Sequence, residues 1–112
     1  MTLHARDALI SRADVPTDAP ARYAKQLLSH LGRKVDFVAD GNTHTANLGG
    51  STAQIVVGDG VLTLVAAAQA EPDLARIEHA LGSHLERFGR RAELLVRWTR
   101  AASSTAILSP DS

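Results

Sequence analysis

At 112 residues the chain is the size of one domain, and 45% hydrophobic against 21% charged residues is a balance that buries a core and excludes wholesale disorder. Twelve Lys+Arg cancel twelve Asp+Glu, so no net field is expected to recruit nucleic acid or an anionic membrane. The absence of cysteine excludes disulfides, thiolate zinc sites and a cysteine nucleophile together.

Nothing in the chain approaches eighteen consecutive apolar residues, and the opening MTLHARDALISR lacks the apolar core of a signal peptide. The expectation is a cytoplasmic single domain over residues 1–100, with a small, polar and disordered tail over 101–112. In chain order, a strand is predicted from about Leu9 to Val15. A helix follows, capped by Asp18 or Thr17, with Pro20 in its first turn and Gly32 as a left-handed stop. Tyr23, Leu27 and Leu31 recur every four residues, and Ala24 and Leu28 widen the stripe.

The period then changes to two. Val35, Phe37 and Ala39 share one face, as do His44, Ala46 and Leu48, then Ala53, Ile55 and Val57; Val61 to Ala67 is almost wholly apolar. Asp40-Gly41, Gly49-Gly50 and Asp59-Gly60 separate these runs, and such pairs supply the positive φ of tight hairpins. A second helix runs from Pro72 to Gly89 with Leu74, Ile77, Leu81, Leu85 and Phe88 at 3/4 spacing, and a last strand spans Glu93 to Thr99. Hairpin connections make the central meander antiparallel, and two amphipathic helices can cover one face of it. The predicted fold is a two-layer α+β sandwich of order β-α-β-β-β-β-α-β.

Signatures of phosphate loops, dinucleotide folds, serine elbows and zinc helices are absent. Tyr23, Phe37 and Phe88 take core-facing spacing, which leaves few aromatics for stacking nucleic-acid bases. The histidines are the remaining reactive stock. His4 falls in the amino terminus and His79 half a turn from the apolar stripe. His30 follows Tyr23, and His84 follows Ile77, by seven residues, which on a helix returns each to within about 20° of that side chain. If the helices pack side by side, His30 and His84 meet, and a facing imidazole pair can bind a metal, ligate haem iron or shuttle a proton. His44 or Glu86 can complete a three-ligand set. The structural alternative is an inward histidine bonded to a backbone carbonyl. Arg87, Arg90 and Arg91 around Glu86 offset the helix dipole in one reading; in the other they clamp a carboxylate or phosphate, with Arg22 contributing from the first helix. Trp98 is expected in core or dimer packing.

Two stretches carry a resemblance. Arg22-Tyr23-Ala24-Lys25-Gln26-Leu27-Leu28-Ser29-His30 and His84-Leu85-Glu86-Arg87-Phe88-Gly89-Arg90 resemble the RYxxQLxxH and HLERFxxR signatures of the domain-of-unknown-function 2218 family, and Leu94 to Trp98 looks like its closing strand. The resemblance spans about residues 9 to 100. It implies a small bacterial module with no established reaction, related to one also found fused to siderophore-interacting flavoproteins, and so an association with iron acquisition. It marks Arg22, Tyr23, Gln26, His30, His84, Arg87 and Phe88 as motif positions without a catalytic assignment; all but Phe88 are candidate ligand-binding residues, with His30 and His84 as candidate metal ligands. Three functions compete: a non-catalytic binding module for iron, haem or a siderophore; an interaction domain that pairs with itself or docks on a siderophore-related enzyme, its histidines purely structural; and a small hydrolase or isomerase with a histidine base and an Arg22 or Arg87 oxyanion donor.

Overall fold

The structure, a computed structural model, describes residues 9–102. Its elements are β1 (Leu9–Pro16), α1 (Pro20–Leu31), β2 (Phe37–Asp40), β3 (Thr43–Asn47), β4 (Thr52–Val57), β5 (Val61–Ala68), α2 (Glu71–Phe88), a 3-10 turn (Arg90–Ala92) and β6 (Thr99–Ala102). The six strands form one antiparallel sheet in the order β2-β3-β4-β5-β1-β6. The expected α+β order is therefore the observed one, and the chain folds as two layers.

Alternation along each strand decides which residues meet the helices. Ala13 and Val15 on β1, Leu62, Leu64 and Ala66 on β5, and Ala53 and Ile55 on β4 are buried against Ala24 and Leu27 of α1 and Leu74, Ile77, Leu81 and Leu85 of α2. α1 lies over β4 and β5, and α2 over β5 and β1. The opposite sheet face is mixed, with Ile10, Val56, Val61, Val65 and Ala67 half-buried among polar side chains. Thr63 donates to Asp14 at 2.6 Å, Arg12 pairs with the same carboxylate at 3.2 Å, and Gln54 donates to Thr45 at 3.2 Å. Gly41 and Gly60, at φ 62° and 74°, close the β2–β3 and β4–β5 connections as the turn chemistry requires.

Several local expectations are corrected. Neither Asp18 nor Thr17 caps α1: the cap position is Ala19, and the Thr17 hydroxyl accepts the Ala19 amide outside the helix at 3.1 Å. Gly32 is right-handed, at φ −63°, and α1 ends instead because the Lys34 and Val35 amides both turn back to the Leu31 carbonyl. That turn removes Val35 from the sheet, so β2 begins at Phe37.

The largest correction concerns the last strand. Residues 94–98 alternate in burial as predicted, with Leu94 buried and Leu95 exposed, but they pair with no strand. They run along α2, where the Val96 amide donates to Glu86 Oε2 at 2.9 Å and the Trp98 ring passes over buried Gly82. Sheet pairing starts only at Thr99, so Ala101 and Ala102, expected in the tail, face Ile10 and Leu9 of β1. The rest of the predicted tail, and His4, lie outside the described residues.

Two features hold this carboxyl end down. Gly89 follows α2, the 3-10 turn ends on left-handed Glu93 (φ 57°), and the chain returns so that Leu94 seats on Gly89. A Cβ at Gly89 would lie 2.9 Å from that of Leu94. Farther on, Arg100 donates to both oxygens of Glu78, at 2.9 and 2.7 Å, and to Glu71 at 2.8 Å. The Arg100 hydrogen bonds hold the Glu78 carboxyl below its ordinary value, against the opposing effect of burial.

Gly89→Ala is expected to expel Leu94 and cost about 1–3 kcal/mol in urea unfolding, because the added methyl has no free volume to enter. A carboxyl held low stabilises fully above its ordinary value of 4.5 and loses that contribution as pH falls through its folded value. Arg100→Gln should therefore lower stability at neutral pH and flatten its decline below pH 4.5, as read from unfolding midpoints across an acid series.

Candidate functional site

The helices and the turn after α2 supply the residues of the site. Their apolar stripes face the same sheet, so α1 and α2 lie side by side, and the contacts between them show an antiparallel course: His30 near the end of α1 meets His84, while Arg22 near its start shares a cavity with Arg90 and Arg91. The seven-residue spacing that aligns His30 with Tyr23 and His84 with Ile77 places both imidazoles on this seam. Their ring centroids are 4.3 Å apart at a 55° tilt. Phe88, one turn beyond His84, stands edge-on to His30 at 5.9 Å and stacks beside His84 at 6.4 Å. All three rings are half-buried.

The predicted three-ligand set does not assemble. Among the described residues no three His, Asp or Glu side chains come together in a group able to hold a metal. His44 is half-buried on the helix-facing side of β3, beside Ile55 and Ala39, and joins no such group. Glu86 is engaged by the Val96 amide on another side of α2. Haem held between the two rings also fails on distance. Two iron–nitrogen bonds of about 2.0 Å in line place the nitrogens about 4 Å apart and the ring centres farther still, beyond the 4.3 Å observed.

Beside the pair, a cavity of about 630 Å³ opens to solvent along the first two turns of α1. Arg22, Tyr23 and Gln26 line it from α1, and Arg87, Phe88, Arg90 and Arg91 from α2 and the turn that follows. Four arginines thus line one groove with no carboxylate in its lining. Among the described residues the ion pairs use Arg12, Arg76 and Arg100, and none of these four. Glu86, beside Arg87 in sequence, is turned to the Val96 amide. Macrodipole compensation accounts for Arg87, which stands in the last turn of α2. It cannot account for Arg22: that cation sits in the first turn of α1, where the helix end is already positive and no acid is present.

The motif positions are therefore contiguous. Arg22, Tyr23, Gln26, Arg87 and Phe88 line the groove, Phe88 joins it to His84, and His30 lines a neighbouring cavity of about 380 Å³ with Lys25, Gln26, Ser29, Arg33 and Phe88. Lys25 and Arg33 escaped the sequence reading. The signal was their spacing of three and eleven residues from Arg22, along the solvent edge of α1 rather than its apolar stripe.

These features define a class, a small two-layer α+β protein with an open antiparallel sheet and a cationic seam between its helices. The chain belongs to the DUF2218 family, described as an uncharacterized protein conserved in bacteria, whose sequence profile matches residues 12–99. It is similar to the NMR structure of PA4090 from Pseudomonas aeruginosa, at 22% identity and a TM-score of 0.69, over 81% of this chain and 95% of that one. That likeness is one of fold. No curated protein matches the chain.

Burial, followed by the charges of His30, Arg87, His79 and Lys34, pushes the His84 imidazole below its ordinary value of 6.5. Between the lowered folded value and 6.5 the unfolded chain binds the extra proton, so stability rises with pH through that window and is complete above it. Thermal midpoints are expected to fall as pH drops from roughly 7 to 5, and His84→Gln to flatten that decline.

Proposed function

We propose that the protein is a non-catalytic binding module whose ligand is a small anion, seated in the groove of Arg22, Arg87, Arg90 and Arg91. One observation carries this reading: four arginines line a single cavity that contains no carboxylate. Mutual repulsion of guanidinium groups is tolerated when a counter-charge is expected, and the planar fork of arginine matches carboxylate and phosphate oxygens in pairs. Tyr23 and Phe88 add aromatic walls, and Gln26 an amide able to donate or accept. A groove open to solvent with no placed nucleophile suits capture and release of a ligand.

The iron association is a second reading, and the 4.3 Å imidazole pair favours it. Two nitrogen donors without a third protein ligand do not make a resident metal centre. They suit a ferric chelate that arrives with most of its coordination filled and with anionic groups for the arginines. A self-association role has less support. The large apolar side chains most exposed among the described residues are Val38 at 70% and Leu95 at 61%. Val38 stands on β2, four strand spacings or roughly 19 Å from β1, whose end neighbours Leu95, so the two form no common patch.

The test is a titration of isotope-labelled protein with sodium phosphate, citrate and ferric citrate, followed by NMR. Saturable shifts are expected at Arg22 to Gln26 and Arg87 to Ala92, weakening with added salt. Arg87→Glu combined with Arg91→Glu should lower affinity about tenfold or more, since each loses a charge-assisted contact and adds repulsion. Shifts that never saturate, or an unchanged affinity in the double variant, would overturn the anion reading. The iron reading stands only if ferric citrate outcompetes citrate and His30→Ala or His84→Ala abolishes that preference.

A further inference from the structure

The cavity beside His30 has no part in the anion reading so far, yet it repeats its chemistry. Lys25 and Arg33 are cations in its lining, the Ser29 hydroxyl and His30 ring add polar groups, and no carboxylate is present. Neither Lys25 nor Arg33 takes part in an ion pair among the described residues. The two cavities share Gln26 and Phe88, so they are neighbouring compartments with one common wall. Together they gather six of the chain's twelve Lys+Arg without one acid.

We infer that the two compartments hold one ligand, a dianion whose anionic groups are joined by an uncharged spacer lying over Phe88 and Gln26. This deepens the anion reading and rests on it. The wall between the compartments carries an aromatic ring and a neutral amide, which suits an apolar or weakly polar spacer. A contiguous oligophosphate would place charge there with no cation beneath it. The separation follows from helix geometry. Lys25 and Arg33 bracket Ser29 in sequence, and Ser29 lies seven residues beyond Arg22 on α1. At 1.5 Å per residue the middle of the second compartment therefore stands roughly 10 Å along the axis from Arg22. Suberate and sebacate span about that distance; succinate does not.

The experiment compares each linear dicarboxylate with the monocarboxylate of equal carbon number, by calorimetry and NMR on the full chain. Succinate should exceed butanoate by no more than a few-fold, while suberate exceeds octanoate by about tenfold or more, as expected when a second contact becomes intramolecular. Lys25→Glu combined with Arg33→Glu, at two exposed positions, should weaken suberate more than octanoate and bring the two to the same level. Amide spectra that overlay the parent outside the substituted turns establish that the fold is kept. Equal ratios at both lengths would overturn the two-compartment ligand. Failure of every anion, octanoate included, would instead overturn the underlying anion reading and this inference with it.

Discussion

Everything distinctive in this molecule depends on two helices burying their apolar stripes against the same face of one sheet. Leu27 of α1 and Leu74, Leu81 and Leu85 of α2 are buried against β-strand residues such as Ile55, Leu62 and Leu64. A fully buried leucine is worth about 1.5–3 kcal/mol, so several together outweigh any electrostatic cost at the edges of the stripes. That surplus forces the flanks of α1 and α2 against each other. One flank brings His30 to His84; farther along, the same antiparallel register brings Arg22 to Arg90 and Arg91. The cationic seam is thus held by burial behind it, and its own charges oppose the arrangement they share.

A formal charge of zero concealed this seam. Net charge sums over the chain and is blind to position, whereas the field in a groove depends on the few charges that line it. Four acids are engaged elsewhere: Asp14 on the open sheet face, Glu71 and Glu78 at β6, and Glu86 on the Val96 amide. Separation of the two signs, rather than an excess of one, produces the local potential.

Much of the fold was legible because its signals are local and periodic. The switch from a 3.6-residue to a 2-residue period located both helices and the meander, and the glycine pairs marked its turns. The seven-residue intervals at His30 and His84 carried the phase that brings their rings together. The departures have physical causes. Alternation in residues 94–98 reports that one side is covered, without revealing whether a strand or a helix flank covers it. The expectation of Gly32 as a left-handed stop took composition for conformation; the turn back to Leu31 needs no positive φ. Lys25 and Arg33 were invisible to a search for apolar stripes, since a cation on a helix edge is ordinarily just solvated.

The position of β1 has a kinetic consequence. It lies inside the sheet, between β5 and β6, although it is the earliest strand of the described residues. Its partners follow it at long range, with Leu9 opposite Ala102 about ninety residues later, and closing loops of that span slows folding relative to local hairpins. During synthesis the β2–β5 meander can zip locally and β1 can then pair with β5, while its other edge stays bare until β6 emerges. Chaperone capture or premature aggregation would be directed at that bare edge, and pairing with Thr99–Ala102 would end its vulnerability.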